Sequence, residues 1–84
     1  MVSKQFEFDF TNFRNYMTEK GINERFISLM TGIPEESLRS RLSGETDFSM
    51  EEMRQILRLF RALFEGNQSP DLADKLFFQA VKIA

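Results

Sequence analysis

The sequence predicts a mainly α-helical fold, a compact five-helix domain with a short β-strand at each end. Three observations support this. Apolar residues recur every three or four positions in five segments, which is the helical period. Glycine, proline and capping residues separate those segments. Near both ends the period changes to two, which is typical of a strand with one buried face. With 84 residues the chain has room for one hydrophobic core, so we expect residues 1–84 to form one domain.

The first strand and the first helix open the chain. Phenylalanines at positions 6, 8 and 10 alternate with acidic residues, so residues 4–9 are predicted to form a strand. From position 10 the spacing becomes helical. Asp9 or Thr11 can cap the first turn of this helix, and Gly21 is placed to end it. The residues predicted to face the core are Phe13, Tyr16 and Met17.

Helices two and three are short and follow each other closely. Asn23 can cap helix two, and Gly32 is placed to end it. Pro34 suits the first position of helix three, which is predicted to run to about Leu42. The apolar residues predicted to face inward in this pair are Phe26, Ile27, Met30, Ile33, Leu38 and Leu42.

Helix four has the clearest boundaries in the sequence. Gly44 and the polar residues 45–47 precede it, and Ser49 with Glu52 has the spacing of a capping box. Gly66 and the residue after it mark the exit. The predicted core face consists of Met53, Ile56, Leu57, Phe60 and either Leu63 or Phe64.

Helix five and a second strand complete the predicted fold. Ser69 can cap this helix, Pro70 suits its first position, and the helix is predicted to end near Phe77. Residues 78–83 return to a period of two and are predicted to form a strand. The two terminal strands can pair within one chain, or be exchanged between two subunits of a homodimer, and the sequence leaves both arrangements open.

Composition excludes most enzyme classes. The chain has no cysteine and no histidine, which excludes thiolate nucleophiles and imidazole acid–base chemistry. The remaining polar residues match no phosphate-binding or metal-binding spacing. We therefore expect no enzyme, with no catalytic residue, cofactor or metal. No apolar run reaches the roughly 20 residues of a membrane span, and the first residues do not resemble a signal peptide. A cytoplasmic protein with no membrane partner is expected.

Residues 23–44 have the spacing of a helix-turn-helix. Gly32 supplies the turn, the small Ser28 allows close approach, and the apolar residues set the crossing of the two helices. Helix three then projects as a rod whose outer face can enter the major groove of DNA. That face carries Glu35, Glu36, Arg39, Ser40 and Ser43. The formal net charge of −2 counts mildly against nucleic-acid binding.

This segment resembles the lambda-repressor-like, xenobiotic-response-element type of helix-turn-helix found in small phage repressors and Cro-like proteins. The likeness extends to four further segments, which are similar to a subgroup from Gram-positive phages. They are Phe8-Asp9-Phe10-Thr11-Asn12-Phe13-Arg14, Leu38-Arg39-Ser40-Arg41-Leu42-Ser43-Gly44, Phe48-Ser49-Met50-Glu51-Glu52 and Phe77-Phe78-Gln79-Ala80-Val81.

The resemblance implies a transcriptional regulator encoded by a phage or prophage. Its relatives are five-helix bundles that bind operator DNA, usually as dimers on paired half-sites and without a cofactor. Arg39 is the strongest candidate reader, because arginine can donate two hydrogen bonds to guanine. Carried over by position, Glu35, Glu36, Arg39, Ser40 and Ser43 face bases, and Arg25 and Arg41 are placed for phosphates or packing.

Acidic residues around helix three leave a second function open. Glu35 and Glu36 can accept hydrogen bonds from cytosine, or can simply stabilise the positive end of the helix dipole. The following loop carries Glu45 and Asp47, where relatives often have a basic residue. The alternative function is therefore an antirepressor or inhibitor that keeps the fold and presents this acidic face to a basic protein partner.

Overall fold

The core of the molecule is enclosed by five α-helices. The structure, a computed structural model, describes residues 6–66, 70–78 and 80–82, and the side chains of these from residue 9 to residue 78. The elements in chain order are β1 (Phe6–Phe8), α1 (Thr11–Lys20), α2 (Glu24–Thr31), α3 (Glu35–Leu42), α4 (Met50–Phe60), a π-helical turn (Arg61–Glu65), α5 (Leu72–Phe77) and β2 (Ala80–Lys82). Within these residues, no helix is long and apolar enough to cross a membrane.

The strands β1 and β2 form an antiparallel pair within the single chain. The register places Phe6 opposite Lys82, Glu7 opposite Val81 and Phe8 opposite Ala80. Both strands are shorter than the predicted ranges 4–9 and 78–83. Residues 4, 5, 79 and 83 of the predicted ranges lie outside the described residues, and the side chains of both strands are not described.

Local hydrogen bonds explain where the two strands stop. Asp9 leaves β1 because its Oδ1 accepts hydrogen bonds from the backbone N–H of Thr11, at 2.8 Å, and from the Thr11 hydroxyl, at 2.5 Å. These bonds hold the pKa of Asp9 below its ordinary value. Phe78 continues the bonding of α5, since its N–H donates to the Asp74 carbonyl at 3.2 Å. Phe78 is therefore not part of β2, which begins at Ala80.

The predicted capping residues of α2 and α4 are in place. Asn23 Oδ1 accepts from the backbone N–H of Phe26 at 2.9 Å. Ser49 and Glu52 form the predicted capping box, in which each side chain accepts from the backbone N–H of the other. The predicted cap at position 69 lies outside the described residues. These short-range bonds fix where α2 and α4 begin.

Both prolines lie outside the helices that they were predicted to open. Pro34 immediately precedes α3, because its ψ of 141° is extended. Pro70 lies in a turn two residues before Leu72, where α5 begins. Proline still favours both helix starts, since it restricts the backbone that leads into them.

Aromatic rings from three helices meet at Phe13, which is fully buried. Its ring lies parallel to that of Phe48 at 5.9 Å between centroids, and edge-on to Phe60 at 5.8 Å and Phe77 at 5.5 Å. Such offset and edge-on pairs stabilise beyond the area that they bury. The buried residues are Phe13, Tyr16, Met17, Ile27, Ile33, Leu38, Leu42, Ile56, Phe60, Leu72, Leu76 and Phe77. The core therefore joins α1 to α4 and α5.

The prediction that Met30 faces the core is wrong. Met30 is 54% exposed, whereas Ile27 is fully buried and Phe26 is half-buried. Three residues of helix correspond to about 300° of rotation, so Met30 lies about 60° from the direction of Ile27. In the last turn of a helix as short as α2, that offset carries the side chain to solvent.

The prediction that Leu63 or Phe64 extends the core face of helix four is also wrong. These residues are 46% and 37% exposed. The regular helix ends at Phe60 and the next turn is π-helical, closed by the Gly66 N–H donating to the Arg61 carbonyl at 2.7 Å. A π turn widens the helix and rotates the following residues away from their expected face. Phe64 still contacts two aromatic rings, edge-on to Tyr16 at 6.2 Å between centroids and tilted against Phe60 at 6.4 Å.

Candidate nucleic-acid interface

Helices α2 and α3 are joined by a three-residue turn. Gly32 has a φ of 84°, a conformation that favours glycine, and its N–H donates to the Ser28 carbonyl at 2.8 Å. The Thr31 hydroxyl donates to the Ile27 carbonyl at 2.7 Å and accepts from the Ile33 N–H at 3.2 Å. Ile33 is buried. The turn is therefore held by hydrogen bonds and by an apolar anchor.

The inner face and the C-terminal end of α3 are anchored to the rest of the domain. Leu38 and Leu42 are buried. Arg14, from α1, donates through Nη2 to the Leu42 carbonyl at 2.6 Å. The Ser40 carbonyl accepts from the N–H of Glu45 at 2.9 Å and of Thr46 at 3.2 Å. Because last-turn carbonyls lack helical partners, these bonds satisfy the end of α3 while fixing its position.

Arg41 connects α3 to α4. Its Nε and Nη2 donate to the two carboxylate oxygens of Glu52 at 3.1 and 3.2 Å, and its Nη1 donates to the Thr46 hydroxyl at 2.8 Å. The Arg41 and Glu52 side chains are only 22% and 17% exposed. Of the two roles that the sequence allowed for Arg41, phosphate contact or packing, this geometry corresponds to packing. Such a bidentate pair adds orientation as well as energy.

Glu52 accepts hydrogen bonds both from α3 and from the residue that caps α4. Its Oε1 accepts from the Ser49 N–H at 2.9 Å, which closes the capping box, and both of its oxygens accept from Arg41. Partial burial alone raises the pKa of Glu52, but the bonds from Arg41 and Ser49 outweigh it and hold the pKa below its ordinary value. The charged form of Glu52 therefore stabilises the junction between α3 and α4.

The outer face of α3 carries the residues that the sequence assigned to base contacts. Glu36, Arg39 and Ser43 are exposed, whereas Glu35 and Ser40 are partly buried. Arg39 Nη2 donates to Glu35 Oε2, one helical turn earlier, and 61% of the Arg39 side chain is exposed. The Ser43 hydroxyl donates to the Ser40 carbonyl at 3.0 Å. Of the five residues, Glu35 lies nearest around the helix to the buried Leu38 and Leu42, and Ser40 lies farthest from them.

Arg25 lies apart from this set, in the first turn of α2. Its side chain is exposed, and among the described residues it makes no ion pair within 4 Å. Its guanidinium is therefore available to an external anion. Of the three arginines in the helix-turn-helix, Arg25 and Arg39 face solvent and Arg41 is used within the domain.

The surface around α3 is mixed in charge, with acidic groups in excess. Glu36, Glu45 and Asp47 are exposed, while the charge of Arg39 is partly offset by Glu35. A duplex approaching this face therefore meets few uncompensated cations. The bond to Glu35 uses only one of the five N–H donors of the Arg39 guanidinium, so donors remain for an external acceptor.

The role of Arg14 could not be predicted from the sequence. Nothing local marks it, because its partner, the Leu42 carbonyl, lies 28 residues further along the chain. Its position on the outer side of α1 is that of an ordinary solvated arginine. Only the assembled fold brings α1 against the end of α3.

A polar cleft of about 290 Å³ lies between α1, the π-helical turn and α5. At its edge, the Tyr16 hydroxyl donates to Glu65 Oε2 at 2.8 Å, and Lys20 Nζ lies 4.0 Å from the same oxygen. Burial, followed by the bond to Glu65, raises the pKa of Tyr16. Tyrosine, lysine and glutamate thus interact with one another here, and the described residues contain no cluster suited to a metal ion.

No family model, curated protein or solved structure matches this chain.

We expect Glu52→Gln to weaken the junction between α3 and α4 while leaving the capping box intact, since glutamine can also close a capping box. The lost charge should lower the free energy of unfolding at pH 7 by about 1 kcal/mol. A carboxylate with a lowered pKa stabilises the fold above its ordinary pKa, and this contribution disappears as the pH falls through the lowered value.

Urea unfolding of the wild type and the variant between pH 7 and pH 3 measures this effect. The difference between them should shrink below the ordinary glutamate pKa of about 4.3. Glu51→Gln, an exposed neighbour in the same first turn of α4, serves as the matched control for loss of one carboxylate. Equal effects of the two variants at pH 7 would contradict the role assigned to the Arg41–Glu52 pair.

Proposed function

We propose that this chain is a sequence-specific DNA-binding regulator of the repressor type, with α3 as its recognition helix in the major groove. The observation that carries the proposal is the outer face of α3, which presents Arg39 to solvent while the inner face and the end of the helix are held by the domain. A helix-turn-helix reads DNA in this way. No catalytic role is proposed for any residue.

The dimensions of α3 suit a major groove. Its 8 residues span about 12 Å, which corresponds to three or four base pairs, and a helix with side chains fits a groove about 12 Å wide. We assign base contacts to Arg39, with Ser40 and Ser43 beside it, and a phosphate contact to Arg25. Arg41 is assigned to holding α3 in position.

The charge around α3 predicts how the binding energy is divided. Two exposed arginines, Arg25 and Arg39, can neutralise few phosphates, so non-specific affinity should be low and its salt dependence shallow. Base contacts must then supply most of the discrimination. By the resemblance stated above, the chain acts in the cytoplasm of a bacterial host, on an operator of phage or prophage origin.

We also propose that the chain binds its operator as a homodimer. Paired half-sites require two recognition helices related by symmetry. Within each chain, β1 and β2 pair with each other, so the outer edge of this small sheet is the element that a second copy can extend. Phe78, which lies close to β2 in the sequence, is exposed and adds apolar area near that edge.

We expect Arg39→Ala to weaken binding to the cognate operator by about 1–3 kcal/mol and to relax selectivity at one base position. The measurement is an electrophoretic mobility-shift titration at several salt concentrations, with duplexes from the DNA that flanks the gene. Wild-type affinity should increase as the salt concentration is lowered.

Arg54→Ala is the matched control, because Arg54 is an exposed arginine on α4, outside the helix-turn-helix. It should lower affinity only slightly and equally for all duplexes. If Arg39→Ala behaves like Arg54→Ala, Arg39 contributes bulk charge and reads no base.

A second candidate function is favoured by the exposed acidic residues Glu36, Glu45 and Asp47 and by the pairing of Arg39 with Glu35. Such a face complements a basic protein surface. In this role the chain would act as an antirepressor or inhibitor. A folded wild-type chain that shifts no duplex, even at low salt, would favour this candidate over the first.

Sedimentation analysis at micromolar concentration tests the homodimer separately. We expect a dimer on the operator, with self-association detectable in its absence. Phe78→Lys should weaken self-association, whereas Leu29→Lys, at an exposed position of α2, should not. A chain that stays monomeric both free and on the operator would exclude the homodimer.

A further inference from the structure

Glu35 and Arg39 lie one turn apart on the outer face of α3 and share a hydrogen bond. Both reach solvent, with 33% of the Glu35 side chain and 61% of the Arg39 side chain exposed. The proposed function uses Arg39 as a reader and assigns nothing to Glu35. In a groove lined by phosphates, a lone carboxylate is repelled, so its place beside the reader requires an explanation.

We propose that Glu35 and Arg39 form one composite reader, which selects a single G·C base pair in a defined orientation. In this arrangement Arg39 binds the guanine and Glu35 binds the amino group of the cytosine paired with it. The inference rests on the proposed DNA-binding function, and it adds Glu35 as a residue that determines specificity.

Complementary hydrogen bonding supports this assignment. In the major groove, the edge of a G·C pair presents two acceptors, guanine N7 and O6, followed by one donor, the cytosine amino group. The Arg39–Glu35 pair presents two donors followed by one acceptor. An A·T pair presents its donors and acceptors in a different order, and a C·G pair presents them in the reverse order. The composite reader therefore distinguishes a G·C pair from both.

The bond already present in the free protein is compatible with that contact. Arg39 Nη2 carries two hydrogens. Nη2 can donate one hydrogen bond to Glu35 Oε2, as in the structure, and a second to guanine O6. At the same time, Nη1 can donate to guanine N7. A carboxylate has about four acceptor sites, so Glu35 retains capacity to accept from the cytosine amino group.

The pair also reduces the entropy lost on binding. Arginine has a long side chain whose immobilisation opposes association. Because Glu35 holds the guanidinium before DNA arrives, part of that ordering is complete in the free protein. Arg39 offsets the charge of Glu35 in return, which lowers its repulsion by the phosphates.

Glu36 provides a matched control. It lies next to Glu35 in the first turn of α3, is exposed, and among the described residues makes no ion pair within 4 Å. Alanine at either position removes one negative charge from the same end of the helix. The effects on non-specific binding and on helix stability should therefore be similar.

The experiment selects binding sites from a library of random duplexes for the wild type, Glu35→Ala and Glu36→Ala, with circular dichroism to confirm that each is folded. The wild type should select a site that contains one strongly preferred G·C pair. Glu35→Ala should lose about tenfold or more in discrimination at that pair while binding unrelated duplexes more tightly. Glu36→Ala should keep the discrimination.

A chemically modified base tests the contact without mutation. In N4-methylcytosine, a methyl group replaces the amino hydrogen that faces the groove. Placed at the selected pair, this base should weaken DNA binding by the wild type and leave DNA binding by Glu35→Ala unchanged. If both variants keep the selected site and the modified base has no effect, the composite reader is excluded while DNA binding stands. If the folded wild type selects no site at all, the proposed function itself fails.

Discussion

The bidentate pair between Arg41 and Glu52 is the interaction on which the arrangement of the helix-turn-helix depends. It joins the last turn of α3 to the first turn of α4, and Glu52 also closes the capping box with Ser49. The start of α4 and the end of α3 are therefore fixed by the same carboxylate. Breaking one partner of such a partly buried pair leaves the other charge without compensation.

Four arginines in and around the helix-turn-helix fall into two groups. Arg14 and Arg41 bond to other groups of the domain and hold the C-terminal end of α3, whereas Arg25 and Arg39 face outward. A recognition surface needs both groups, because side chains that read bases must be held by a rigid support. In the proposed function, the acidic residues near α3 limit attraction to the phosphates, which favours selectivity over tight non-specific binding.

The features that could be predicted from the sequence are those set by neighbouring residues. The caps at Asn23 and at Ser49 with Glu52 are predictable because donor and acceptor lie three residues apart. The contact between Arg14 and the Leu42 carbonyl could not be predicted, since it joins α1 to α3 across 28 residues. The exposure of Met30 depends on the length of α2 and on its rotation against the core, and apolar spacing does not determine either one.

The outer face of α3 was predictable as a set of residues, but its internal bond was not. The spacing of Glu35 and Arg39 permits an ion pair, and the same spacing leaves both side chains free to act independently. The π-helical turn at Arg61–Glu65 likewise has no distinct signal in the sequence, because its apolar residues continue the helical period. Both depend on which neighbours the fold supplies.

Amide NMR shift mapping during titration with a duplex from the gene's flanking DNA, at low salt, tests the central claim most directly. The account predicts that the largest changes occur on the outer face of α3, at the amides of Glu36, Arg39 and Ser40, with small changes at the side-chain Nε–H of Arg41, which is held by Glu52. A folded chain whose signals do not change, or change only on surfaces remote from α3, would contradict the account.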